Sequence, residues 1–194
     1  MKQRSIKQRL FLLAGIVICA ALSAHGSVAY FTAEDTATNV ITTGTVRIEL
    51  VETMLPEQGG EPVPFEDQMD VMPGCEVSKI VEVKNTGSQP AYVRLRVTKE
   101  IKLSGQTEGE ADLSLVTFDL NSQDWEERDG FYYYREPLQP GQTTQPLFTA
   151  VSFSESMGNL YQDSIAVVQV KAYATQTANN GETVFDAAGW PEAE

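Results

Sequence analysis

Histidine is almost missing from this chain: among its 194 residues the only one is His25. It lies within the first 29 residues, which read as a removable leader, so the remainder is expected to contain none. Without imidazole there is no Ser-His-Asp triad, no Cys-His pair and no HExxH zinc helix. Cysteine is nearly as scarce. Cys19 falls inside the leader, and Cys75 alone cannot close an intramolecular disulfide, so stability has to come from a packed core. Gly74 and Glu76 bring no positive charge to Cys75 that would lower its thiol pKa, and it reads as a small buried hydrophobe at a strand start. No catalytic residue is assigned.

Positive charge is the third scarcity. Fourteen Lys and Arg face 27 Asp and Glu, a net charge of −13. Four of the fourteen, Lys2, Arg4, Lys7 and Arg9, sit at the very start, and a leader that removed them with no acid would leave ten against 27, a net −17. Such a surface repels nucleic acid and anionic lipid, and neither is expected as a partner.

The four basic residues are followed by FLLAGIVICAALSA, an uncharged run too short for the roughly 20 residues a spanning helix needs. A basic start, an apolar stretch and small residues after it form the pattern of a helical signal peptide over residues 1–29. Ser27, Val28 and Ala29 supply the small residues that a signal peptidase reads, so cutting is expected before Tyr30. The residues before Cys19 are Ile16, Val17 and Ile18, which disfavours a lipoprotein anchor, and the closing GWPEAE offers no apolar tail. Membrane attachment is expected only through an uncleaved leader, and the protein is expected to be secreted.

From residue 30 onward the pattern is one of strands. GTVRIELVE turns Val46, Ile48 and Leu50 one way and Arg47 and Glu49 the other, as a half-buried antiparallel strand does. Pro56 to Pro73 is Pro-, Gly- and acid-rich and reads as a surface loop, with a short edge strand at Val63 to Phe65. CEVSKIVEVKN and PAYVRLRVTKEI both alternate, and the turn-rich Asn85-Thr86-Gly87-Ser88 between them predicts a hairpin. Further strands are expected at LVTFDL, FYYYR, PLFTAVSFS and SIAVVQVKAYATQ, with Trp125 and its acidic neighbours in a loop and a helical turn or two near GETVFDAAGW. Seven or eight such runs without long helical periods predict an all-β domain over residues 30–194: an antiparallel two-sheet β-sandwich or jelly roll.

Two acidic clusters are candidate sites. Glu66, Asp67 and Asp70 form one, and Asp124, Glu126, Glu127 and Asp129 the other. Neither follows the twelve-residue calcium loop, and solvated loop charge is the simpler account. No metal or other cofactor is expected. The aromatic run Phe131 to Tyr134 is expected to split between core and rim, because alternation buries half of it.

The block AYFTAEDTATNVITTGTVRIEL after the short apolar segment, then MPGCEVSKIVEVKNTGSQPAYVRLRV, WEERDGFYYY, LQPGQTTQPLF, VKAYATQTANN and AAGW, resembles the TasA and camelysin family of proteins exported through SipW-type signal peptides. The resemblance implies an exported protein of a Gram-positive bacterium with a jelly-roll domain, and a SipW-type signal peptidase as its processing partner. It also implies self-association into biofilm fibres by donor-strand complementation, the freed N-terminal strand of one subunit entering a groove of the next. Tyr30, Phe31, Val40 and Ile41 are the apolar positions of that candidate donor, which could equally pair within its own subunit. The alternatives are the metallopeptidase that some members' label suggests, another hydrolase such as a carboxylate-based glycosidase, or a soluble surface adhesin.

Overall fold

A computed structural model describes residues 46–56, 58–66, 73–103, 110–158, 161 and 164–192. These belong to one compact unit, residues 36–194. Its described residues are all-β, with helical character confined to short 3-10 turns such as Leu113–Leu115. Among the described residues the strands are β1 (Ile48–Met54), β2 (Val63–Pro64), β3 (Glu76–Ser78), β4 (Ile80–Asn85), β5 (Ala91–Lys102), β6 (Val116–Phe118), β7 (Trp125–Arg128), β8 (Phe131–Tyr134), β9 (Ala150–Phe153) and β10 (Ile165–Gln176).

All their pairings are antiparallel, in the orders β2-β1-β4, β3-β9-β6 and β10-β5-β8-β7. The first two orders belong to one layer. β3 and β4 are a single course of chain interrupted at Lys79, and residues 142–149 run beside it into β9. The Lys79 amide donates to the Thr149 carbonyl at 2.9 Å, Val81 to Phe148 at 3.1 Å and Leu147 back to Val81 at 2.8 Å. From this layer Ile48, Leu50, Val81, Val83, Leu147 and Phe148 enter the same buried cluster as Val93, Leu95, Trp125, Val170 and Ala172 of the β10-β5-β8-β7 layer. Two antiparallel layers sharing one apolar core are consistent with a β-sandwich. The alternation in GTVRIELVE and PAYVRLRV is what makes one face of each layer apolar.

Two local expectations are corrected. β4 and β5 do not form a hairpin: β4 pairs with β1 and β5 with β10 and β8, so the turn between them crosses from one layer to the other. Fully buried Asn85 holds the crossing. Its amide nitrogen donates to the carbonyls of Gln89 (2.9 Å) and Leu138 (2.8 Å), and its carbonyl oxygen accepts from the Gly87 amide (2.9 Å). A turn cluster names a reversal, while the partner is chosen by length and buried area: β10 matches β5 over all twelve of its residues. The second correction concerns Trp125, which begins strand β7 and does not lie in a loop. β7 and β8 form a hairpin whose two turn residues, Asp129 and Gly130, have φ of 53° and 75°. That is the Asp-Gly signature of a type I′ turn, whose twist matches the flanking strands. The segment near GETVFDAAGW forms turns, with no helix among its described residues.

Where residues 142–149 become β9, Asp119 accepts hydrogen bonds from the amides of Thr149 (2.8 Å) and Ala150 (2.7 Å) and from the Thr149 hydroxyl. Burial pushes its carboxyl up, but these hydrogen bonds together outweigh burial and hold it below the usual aspartate range. A depressed folded pKa contributes stability that is present above the unfolded value of about 3.9 and lost as pH falls through the folded value. Asp119→Asn is therefore expected to cost about 1 kcal/mol at neutral pH, the solvent-screened end for a charged hydrogen-bond partner. It should also flatten the acid side of the stability profile, measured by urea denaturation from pH 7 downward. An unchanged acid limb would remove Asp119 from the account.

Candidate functional site

Each layer of a sandwich ends in edge strands whose outer N–H and C=O groups lack a partner in the sheet, and soluble proteins blunt such edges with short strands, charge or proline. Three of the four edges formed by the described strands follow that rule. β2 is two residues long and contains Pro64, β6 has three residues, and β7 reads WEER, three of its four residues charged. β10 does not follow it. It is twelve residues long, has neither glycine nor proline, and Lys171 is its single charged residue. Its first half, IAVVQV, carries no charge at all, and Ile165 is 62% exposed. Among the described residues, β5 is its only sheet neighbour.

Two features shape this edge. β10 passes close to β1 of the other layer, and β1 is paired on its β2 side only at Thr53 and Met54. The second half of β10 lies beneath the C-terminal segment. The Thr175 hydroxyl donates to the Ala188 carbonyl at 3.0 Å, while the Asn180 side chain both donates to that carbonyl (3.0 Å) and accepts from the Ala188 amide (2.7 Å). This clasp seats Trp190 over Arg94, its ring centre 4.5 Å from the guanidinium carbon, with Phe131 at 4.0 Å on the same cation. Arg94 donates to the Tyr133 hydroxyl at 3.2 Å and to the Pro191 carbonyl at 3.5 Å. Cation–π contacts on a partly desolvated guanidinium contribute up to about 2 kcal/mol, so the clasp keeps this end of the sheet covered. The stretch of the edge outside this clasp is thus its first half, Ile165 to Val170, in which Ile165 is exposed, Ala166 to Gln169 are half-buried and Val170 is buried.

Of the two acidic clusters, the one around β7 organises structure, while Asp67 and Asp70 of the other lie outside the described residues. Asp124 accepts from the Asn121 side-chain amide at 2.8 Å. Glu126 is held by Arg128 (2.6 Å) and Arg135, and the Arg128 hydrogen bond and charge, with Arg135 beside it, keep its carboxyl below the usual glutamate range. Among the described residues no three His, Cys, Asp or Glu side chains gather as a metal site. Cys75 is half-buried just before β3, and its backbone carbonyl accepts from the Phe153 amide at 2.9 Å. In the aromatic run, Tyr132 and Tyr134 pack against the core, while Phe131 and Tyr133 lie on the opposite face with Tyr173 and Trp190.

Ser27, Val28, Ala29, Tyr30, Phe31, Val40 and Ile41 lie outside the described residues. Sequence reasoning missed the β10 edge. Alternation gives the two faces of a strand but not its place in the sheet, and the only available signal was the single charge in twelve residues. No family model matches the chain, and neither does any curated protein or solved structure.

Proposed function

We propose that this is a secreted structural protein of the extracellular matrix or cell surface, a jelly-roll domain of TasA and camelysin type that joins copy to copy by strand addition. The observation that carries the reading is the first half of β10, six uncharged residues at a sheet edge, four of them β-branched (Ile165, Val167, Val168 and Val170). A strand laid there gains main-chain hydrogen bonds for affinity and alternate side-chain contacts for specificity. The natural donor is the segment freed by removal of the leader, with Tyr30, Phe31, Val40 and Ile41 as its apolar contacts. While the leader holds Tyr30 at the membrane the donor is tethered, and processing by a SipW-type peptidase releases it.

The test is mass spectrometry of the secreted protein's N-terminus coupled with negative-stain microscopy. A start at Tyr30 together with fibres or other ordered assemblies is expected. A retained leader, or monodisperse particles at high concentration, would overturn the proposal.

A further inference from the structure

Beyond β10 the chain folds back over the outer face of the β10-β5-β8-β7 sheet and closes a second, smaller apolar layer on it. Phe185 and Trp190 pack on Tyr133, each with ring centres 5.8 Å from it, and the Tyr92 hydroxyl donates to the Gly181 carbonyl at 3.4 Å. Val184, Tyr92 and Tyr173 are buried, yet none belongs to the cluster shared by the two layers. This layer is less well satisfied than the main core. Arg94 Nε and Tyr173 Oη are buried without a hydrogen-bond partner among the described residues. Unpaired buried donors carry their full desolvation cost, so the segment opens at lower free energy than the strands beneath it.

Asn180 holds the segment closed, and its amide is engaged on both sides. The NH2 donates to the Thr175 hydroxyl (3.2 Å) and to the carbonyls of Gln176 (2.9 Å) and Ala188 (3.0 Å), and the oxygen accepts from the Ala188 amide (2.7 Å). The residue after it has to be glycine. Gly181 has φ of 49°, and a Cβ there would stand 2.8 Å from the Asp186 carbonyl carbon and 2.9 Å from the Ala187 nitrogen. Clasp and packing together thus impose the one Asn-Gly step in the sequence. With no side chain on the following residue, nothing shields the Asn180 Cγ from the Gly181 nitrogen, and that nitrogen donates no hydrogen bond among the described residues.

We propose that Asn180 is a site of spontaneous deamidation, and that its conversion makes the C-terminal clasp a latch that opens once and does not reclose. While the clasp is closed, its four hydrogen bonds restrain the amide against the rotation that ring closure needs. When the segment lifts, the Gly181 nitrogen, its proton taken by hydroxide, attacks Cγ of Asn180. The new N–Cγ bond closes a succinimide, and the side-chain nitrogen leaves as ammonia. Water then opens the ring to aspartate or isoaspartate, with no change of oxidation state. Aspartate only accepts hydrogen bonds, so an anionic oxygen would face the Gln176 and Ala188 carbonyls where the NH2 had donated. Isoaspartate adds a methylene to the backbone beside the tightly packed Gly181.

The test uses the full secreted chain, aged in mildly alkaline buffer and followed by peptide mapping with isoaspartate detection. Asn180 should convert ahead of the other asparagines, and faster as pH rises. Thr175→Val, which removes two bonds of the clasp, should accelerate the conversion at least about fivefold, the effect of one net hydrogen bond. Chymotrypsin cleavage at Phe185 and Trp190 reads the open population. It should be at least about tenfold faster in Asn180→Asp, and in the converted fraction of aged wild type separated by ion exchange, than in fresh protein. Circular dichroism verifies that the variants are folded, and the converted wild type gives the same measurement without a substitution. An Asn180 that stays an amide in the aged protein, or converts no faster in folded Thr175→Val, overturns the modification site. Equal cleavage of converted and fresh protein overturns the latch. Neither outcome depends on association of copies.

Discussion

Lysine at both Ile165 and Val167 is expected to reduce assembly of the secreted chain at least about tenfold while leaving the subunit folded. The two positions lie on the outer face of β10, one 62% exposed and the other half-buried. Neither belongs to the buried cluster that holds the layers together. Surface changes of this kind usually alter subunit stability by no more than about 0.5 kcal/mol. Their effect on an incoming strand is larger, because two ammonium groups would have to be desolvated or splayed as the strand approached. Natural edges use lysine for this purpose. The ratio of effects is the informative quantity: a large fall in assembly with an unchanged urea midpoint locates the contact at β10. Equal assembly by the double variant and the wild type would exclude this edge as the acceptor.

The second large effect is on stability. Trp125→Ala is expected to destabilise the domain by about 3–5 kcal/mol, the range for removing a large aromatic from a core. Trp125 is only 2% exposed, its ring centre lies 5.0 Å from that of Tyr134, and its indole N–H donates to the Gln145 carbonyl at 3.0 Å. It is the one core side chain that β7 contributes, and its hydrogen bond ties that edge hairpin to the chain entering β9. Truncation leaves both a cavity and an unpaired carbonyl. At roughly 2–4 °C per kcal/mol for a domain of this size, melting should fall by about 6–20 °C. Trp125→Phe retains most of the apolar contact but loses the donor, and about 1–3 kcal/mol is expected. Chemical denaturation followed by the fluorescence of Trp190 measures both. A loss below about 1 kcal/mol for the alanine variant would mean that the hairpin does not depend on this anchor.

These two expectations also separate the kinds of information involved. The strands around Val46 to Leu50, Val81 to Val83 and Val93 to Val97 were legible because period-two alternation is a local property of a half-buried strand. The turn at Asp129-Gly130 was missed, although Asp-Gly is a strong hairpin signal, because the acids around Trp125 read as loop. A strand with one buried tryptophan and three charged residues has little alternation to detect, and Tyr134 and Gln145, which hold that tryptophan, are distant or unremarkable in sequence. The hairpin expected at Asn85 to Ser88 failed for a related reason. Strand partners are chosen by global competition for matched length and buried area, and a turn motif carries no record of that competition.

Composition and local pattern by themselves determined that the chain is β-rich and antiparallel, since alternation, turn residues and the lack of helical periods are encoded within about ten residues of each position. They also narrowed the available chemistry, because the sequence has a single histidine, His25, and folding cannot supply another. Which strands meet, which one ends the sheet, and which cations share a face were decided only by the tertiary structure. Arg96 and Lys171 are 75 residues apart, and they are neighbours because β5 and β10 pair along their whole lengths. β10 is an edge because no other described strand lies beyond it. Both are long-range properties, set by the packing of two layers on one core and not by any residue's own preference.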